Sequence, residues 1–169
     1  MPATGVLAPD QRPDVGGQEL PDGRSNIVVF GGARFVLSHL LDESHPYLMA
    51  MVQTFEDDID AELAELDTSE LRELFGRYFV NQRELNDAVP EEPELPEDPS
   101  SLSFHIAGGI ECDLGVKRRL LAERSTVRRI KALRLLLPVL TSRIESALRI
   151  HRRAYTNGKG GALPDVLAQ

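Results

Sequence analysis

The spacing of apolar residues changes partway along the chain, from a period of two to a period of three or four. Ile27-Val28-Val29-Phe30 is a short β-branched and aromatic run, and the spacing predicts a strand over 25–30. Gly31-Gly32 breaks the run. Arg34 to Leu40 then alternates, with Phe35, Leu37 and Leu40 on one face and Arg34, Val36 and Ser38 on the other. After Asp42-Glu43-Ser44, the stretch from His45 to Phe55 alternates again. Tyr47, Met49, Met51 and Gln53 face one way; Leu48, Ala50, Val52 and Thr54 face the other. Pro21-Asp22-Gly23 reads as a turn, because proline presets one dihedral and glycine accepts positive φ. Three consecutive strands with short connections predict an antiparallel meander. Residues 1–22, rich in Pro, Gly, Asp and Gln, are expected to be a flexible lead-in with one short extended piece at Gly5–Ala8.

From Asp58 onward the period is helical. Ile59, Leu63 and Leu66 recur at helical spacing. Thr68 is the expected N-cap of a helix whose stripe is Leu71, Leu74, Phe75, Tyr78 and Phe79. Residues 87–99 hold Pro90, Pro93, Pro96 and Pro99 among glutamates, which forbids a regular helix and predicts an exposed linker. Helices are expected over Ser100–Ile110, with Gly108-Gly109 weakening its end, and over a short piece capped by Asp113 and running to Glu123. A long helix capped by Ser125 should run from Thr126 to Tyr155. Its stripe is Val127, Ile130, Leu133, Leu137, Leu140, Ile144, Leu148 and His151, and Pro138 should kink it. Asn157-Gly158 is a stop signal, followed by a loose tail. The expected organisation is a lead-in (1–22), a partial β lobe (23–56), a helical lobe (57–156) and a tail (157–169).

Composition narrows the function classes. At 169 residues and 41% hydrophobic, the chain can bury a core. The single cysteine, Cys112, excludes an intramolecular disulfide and, with the absence of a secretory signal, fits the cytoplasm. The longest apolar run, Leu135 to Leu140, contains Pro138 and is far too short to cross a bilayer. The net charge of -8 is uneven, with acids concentrated before Pro99 and bases after it. Either the two parts attract each other, or the basic end meets an acidic partner, or both are simply solvated faces.

Several kinds of chemistry find no support in the residues. The nearest string to a P-loop, Gly158-Lys159-Gly160-Gly161, has no strand before it and no Ser or Thr after its lysine. Lys117 and Lys131 sit among arginines on expected helices, where a lysine is solvated and charged. His39 and His45 flank Asp42-Glu43 without any tight metal-ligand spacing. His105 and His151 lie on helices, and Cys112 has no histidine near it in sequence to act as a base. No catalytic, cofactor-binding or metal-binding residue is therefore expected.

The order of segments resembles the N-terminal (substrate-binding) domain of Lon proteases, from about Leu20 to Tyr155. The resemblance rests on Asp22-Gly23, the apolar run Ile27-Val28-Val29-Phe30, and Gly31-Gly32-Ala33-Arg34-Phe35. It continues through His45-Pro46-Tyr47-Leu48, Asp98-Pro99, the segment from Asp113 to Leu121 and Ser125-Thr126-Val127-Arg128-Arg129. In the Arg34-Phe35 pair, alternation sends one residue outward and one into the core. The early strand-rich segment and helix that such domains usually carry have no counterpart here. The resemblance thus implies an α+β fold with a partial antiparallel, PUA-like β lobe followed by a helical lobe. Either the chain is truncated at its N-terminus, or a partner completes the sheet.

The function implied is a non-catalytic, protein-binding module for unfolded substrates or a protease partner. Exposed strand edges are the candidate contacts, at Ile27, Val29, Phe30, Tyr47, Met49 and Met51. A different reading is nucleic-acid binding through Arg128, Arg129, Lys131, Arg134, Arg143, Arg149, Arg152 and Arg153 of the last helix. Against it stand a pI of about 5.0 and few aromatic residues for base stacking. A third is a truncated fragment without function.

Overall fold

The computed structural model describes the backbone of residues 4–6, 18–19, 25–26, 31–41 and 47–158, and side chains for 31–41 and 47–153. The protein is α+β, as its spacing implies. Among the described residues, five strands are followed by four α-helices: β1 (Thr4–Val6), β2 (Gln18–Glu19), β3 (Ser25–Asn26), β4 (Arg34–Leu40), β5 (Ala50–Phe55), α1 (Ser69–Leu85), α2 (Pro99–Gly109), α3 (Leu114–Ala122) and α4 (Thr126–Gly158). A 3-10 turn at Ala61–Glu65 precedes α1. The chain forms two compact units. One comprises residues 1–59 with 113–125; the other comprises 60–112 with 126–169. Residues 113–125, which sequence spacing grouped with the helices, thus belong with the strands.

The first unit holds a three-stranded antiparallel sheet in the order β1-β4-β5 and a two-stranded ribbon, β2-β3. This order corrects the expected meander. Ser25 and Asn26 pair with Glu19 and Gln18 across the Pro21-Asp22-Gly23 sequence, and the second neighbour of β4 is β1, from within the expected lead-in. Residues 27–30 lie outside the described residues. The expected strand from His45 also shortens: the ladder on β4 ends at Leu40 opposite Ala50, with one more bond from Leu41 N–H to Met49 O (2.9 Å).

The register shifts between Leu37 and His39, so Ser38 is an extra residue on β4. Such a bulge reverses the alternation beyond it, and Phe35, Leu37 and Leu40 come to share a face despite their uneven spacing. Burial falls steadily along β4, from Arg34, which is 9% exposed, to an exposed Leu40.

Arg34 is the main surprise of this unit. Alternation sends one residue of the Arg34-Phe35 pair outward and one into the core, and it is Arg34 that is the most buried residue of its strand. Its guanidinium donates to Leu121 O (2.9 Å) and Glu123 O (3.1 Å) at the C-terminal end of α3, and to the Asp57 carboxylate. It also lies 4.6 Å from the centre of the Phe55 ring. One side chain thus joins β4, the end of β5 and the carbonyl end of α3, where a helix dipole favours positive charge. Only arginine offers a planar fork with enough donors to serve three acceptors at once.

The second unit is a helical core. α1 packs along α4, and α2 packs against α4 as well. Leu71, Phe75 and Tyr78 of α1, Leu102 and Ile106 of α2, and Ile130, Leu133 and Leu137 of α4 are buried. The expected stripes therefore face one another, and apolar burial at about 25 cal/mol per Å² is the main stabilising term. Gly109 permits close approach, since a Cβ there would stand 3.1 Å from Phe75 Cζ. The Tyr78 hydroxyl accepts the Glu111 N–H (2.7 Å), and burial raises the Tyr78 pKa. α4 continues through Pro138 without interruption, with Pro138 on its exposed side.

Asp98 and Asp113 cap α2 and α3, whereas the expected cap of α1 departs from the sequence reading. Asp98 accepts from Ser101 N–H (2.7 Å) and Asp113 from Gly115 N–H (2.7 Å), and α4 begins directly after Ser125. Thr68 stands at the N-cap of α1 without capping it. The Asp67 carboxylate instead accepts from both the N–H (2.9 Å) and the hydroxyl (2.8 Å) of Ser69. Each of the two carboxylate oxygens takes one of the two donors.

At its far end α1 closes with Asp87 at φ 55. Asp87 N–H donates to Glu84 O (3.1 Å) and Ala88 N–H to Arg83 O (2.9 Å), the bond pair of a Schellman motif. The Pro/Glu-rich stretch that follows is non-helical, and arginines of α1 hold it. Arg72 donates to Pro96 O (2.6 Å) and Arg83 to Val89 O (2.7 Å).

Candidate functional site

The distal end of the β4–β5 pair, away from Arg34, carries large apolar side chains that the fold leaves uncovered. Leu48 is 85% exposed, Tyr47 65%, Leu40 59% and Met51 50%; Leu41 and Val52 are also exposed. The ladder brings them together. Leu40 stands opposite Ala50, His39 opposite Met51 and Leu37 opposite Val52, and Leu41 is hydrogen-bonded to Met49. Opposed residues share a face, so Met51 projects to one side of the sheet and Leu40 and Val52 to the other. Large apolar side chains left exposed together at one strand end are candidates for a contact surface.

Of the contacts expected from the sequence, Tyr47 and Met51 lie in this cluster and Met49 is half-buried beside it. Ile27, Val29 and Phe30 lie outside the described residues. Leu40, Leu41 and Leu48 were not singled out by the alternation. The bulge at Ser38 and the early end of the ladder, neither visible in residue spacing, bring them into the cluster.

The backbone of β5 adds to the site. Among the described residues β5 pairs only with β4. Ala50-Met51-Val52-Gln53-Thr54-Phe55 contains no charge and no proline, the usual devices that protect an edge strand.

Several basic residues of α4 are engaged inside the helical unit. Arg129 is fully buried; it donates to Ser103 Oγ (2.7 Å) and Thr126 Oγ1 (3.1 Å) and lies 3.7 Å from the centre of the Phe104 ring. Lys131 pairs with Glu62 (3.3 Å), Arg134 with Glu70 (3.3 Å) and Arg152 with Glu84 (2.5 Å). His151 meets Asp87 at 3.1 Å. Part of the charge asymmetry of the sequence is thus taken up by pairs inside the helical unit. A polar recess of about 440 Å³, lined by Glu62, Glu65, Leu66, Asp67, Glu70 and Arg134, offers little apolar contact to a ligand. Among the described residues, no group of three or more His, Cys, Asp or Glu side chains is placed to hold a metal ion, and no helix is long and apolar enough to cross a membrane.

The described residues thus make an α+β chain whose β4–β5 end exposes large apolar side chains. Residues 15–138, well over half of the chain, match the sequence model of the ATP-dependent protease La (LON) substrate-binding domain, and the protein belongs to that family. The Lon substrate-binding domain is non-catalytic and suggests a protein-binding role. No curated protein matches the chain.

Proposed function

We propose that this protein binds unfolded polypeptide segments at the distal end of β4 and β5, without itself catalysing a reaction. Membership of the Lon substrate-binding family supports the class of ligand. The observation that carries the location is the exposure of Tyr47, Leu48 and Met51 beside an edge strand that lacks protecting charges. Burying such side chains contributes about 1.5–3 kcal/mol each when removal from water is complete. Two or three of them therefore supply a useful affinity for an apolar segment before any backbone bond is made. The single cysteine fits a cytoplasmic setting, where unfolded chains and proteases are both at hand.

The test is a titration of a fluorescently labelled, permanently unfolded protein with the full chain and with the variant Tyr47→Ser/Leu48→Ser/Met51→Ser. The wild type binds saturably. The variant keeps its circular dichroism spectrum and binds at least about tenfold more weakly, as expected for the loss of about 1.4 kcal/mol or more. Equal binding by both chains would move the site elsewhere. No binding by the wild type would remove the proposal.

A further inference from the structure

We infer that the outward face of α4 docks an α-helix of a partner protein, apolar toward Leu135 and Val139 and acidic toward Arg143 and Arg149. This surface lies in the helical unit and does not depend on the polypeptide-binding reading of β4 and β5. α4 turns one side to the core through Ile130, Leu133 and Leu137. On its other side Ala132, Leu135, Val139, Ser142, Ser146 and Arg149 recur at alternating steps of three and four residues. That is the spacing of a helix-packing seam, whose side chains interdigitate with those of a second helix. Leu135 is 78% exposed and Ile150 70%, and Pro138 and Val139 are exposed between them. The seam runs for about five turns, or about 27 Å, long enough for a helix of ordinary length to lie along it. Ala132, Ser142 and Ser146 are small, so a second backbone can come close between the larger side chains.

The charges select the helix. α4 holds a single acid, Glu145. Arg143 and Arg149 are exposed along the C-terminal half of the seam. Arg149 donates to Ser146 Oγ (3.0 Å) of its own helix, which keeps its guanidinium beside the seam. A facing helix gains from Asp or Glu at the matching positions, as charges flanking a helix–helix seam do. A second copy of α4 fits poorly over this length. Laid parallel it sets Arg149 against Arg149; laid antiparallel it sets Leu135 against Arg149. A nucleic acid or an anionic membrane presents an extended negative surface to a molecule whose net charge is already -8, whereas a single helix meets the seam alone. The occupant favoured is a foreign amphipathic helix with an apolar half and an acidic half.

The experiment uses the full chain and labelled amphipathic peptides of about 18 residues, the length of the seam. One half carries Leu anchors and the other Glu, in both orders, and a second set has Lys in place of Glu. Binding is read by fluorescence anisotropy and by circular dichroism. A Glu peptide is expected to bind and to gain helix as it does so, because a free peptide of this length is only marginally helical. Leu135→Ser/Val139→Ser and Arg143→Glu/Arg149→Glu change exposed positions, so each keeps the urea midpoint of the wild type and weakens binding about tenfold. The Lys peptides should bind the Arg143→Glu/Arg149→Glu chain more tightly than the wild type, a reversal that general stickiness does not give. Equal binding of Glu and Lys peptides to the wild type refutes the charge selection. Binding without helix gain, or unchanged in both variants, refutes docking on the seam. If no peptide binds but anionic vesicles or duplex DNA do, and Arg143→Glu/Arg149→Glu abolishes it, that anion replaces the helix. Binding of none of these probes removes the inference. Self-association in sedimentation that Leu135→Ser/Val139→Ser abolishes would replace the foreign helix with a second copy.

Discussion

Replacing Arg34 tests whether this side chain is the clamp of the strand-bearing unit or a surface residue, as plain alternation would have it. Arg34→Ala removes donors to Leu121 O and Glu123 O and strips the Asp57 carboxylate of its cation. The two side chains are 10% and 19% exposed, so the carboxylate left behind is poorly hydrated. Breaking a buried ion pair by removing one member costs about 3–5 kcal/mol. Residual solvent contact at Asp57 places the expected loss near the lower bound, about 3 kcal/mol. Arg34→Lys keeps the charge but cannot fork to three acceptors, and about half that loss is expected. The double variant Arg34→Ala/Asp57→Ala should be less destabilised than the sum of its singles, with a coupling of about 1–3 kcal/mol. Amide hydrogen exchange of β4 and β5 reports this unit separately from the helical one and gives the opening free energy directly. A change below about 0.5 kcal/mol at those amides, the size of an ordinary surface substitution, would refute the clamp.

Three other perturbations probe the helical unit. Leu133→Ala should cost about 2–5 kcal/mol in urea unfolding, because Leu133 is wholly buried; a loss under about 0.5 kcal/mol would mean that the α4 stripe does not pack. Asp87→Gly should stabilise by about 0.5–1 kcal/mol by relieving the positive φ at the end of α1, and Asp87→Val should destabilise; equal melting temperatures for all three would contradict the motif. Hydrogen bonds from Ser101 hold the Asp98 carboxyl below its usual range, so the unfolded chain takes up this proton more readily than the folded one. The Asp98 contribution is then complete above the unfolded value of about 3.9 and is lost as pH falls through the lower folded value, and Asp98→Asn should flatten the acid limb of a stability–pH curve.

The helical half was legible because each signal was local. Asp98-Pro99, Asp113 and Ser125 announce three helix starts, and the stripe from Val127 to Leu148 states which side of α4 is buried. The strands were less so, for reasons that can be named. Arg34 is buried because three acceptors distant in sequence converge on it, and alternation sees only neighbours. The shared face of Leu37 and Leu40 was read from the sequence, but the bulge at Ser38 that produces it leaves no mark in composition. β1 takes its place beside β4 although Thr4-Gly5-Val6 has no alternating pattern, since pairing on a strand edge is decided by the partner as much as by the strand. The candidate site was half visible. Tyr47 and Met51 stood out as alternating apolar residues, while the exposure of Leu40, Leu41 and Leu48 depends on where the ladder stops.

The central claim is that unfolded polypeptide is gripped by the apolar end of β4 and β5. Residue-resolved hydrogen exchange of the full chain, with and without a saturating unfolded polypeptide, addresses it directly. Slowed exchange is expected within residues 47–55 and around Leu40, with the amides of α4 unchanged. Slowing confined to the helical unit, with β5 exchanging as before, would contradict it.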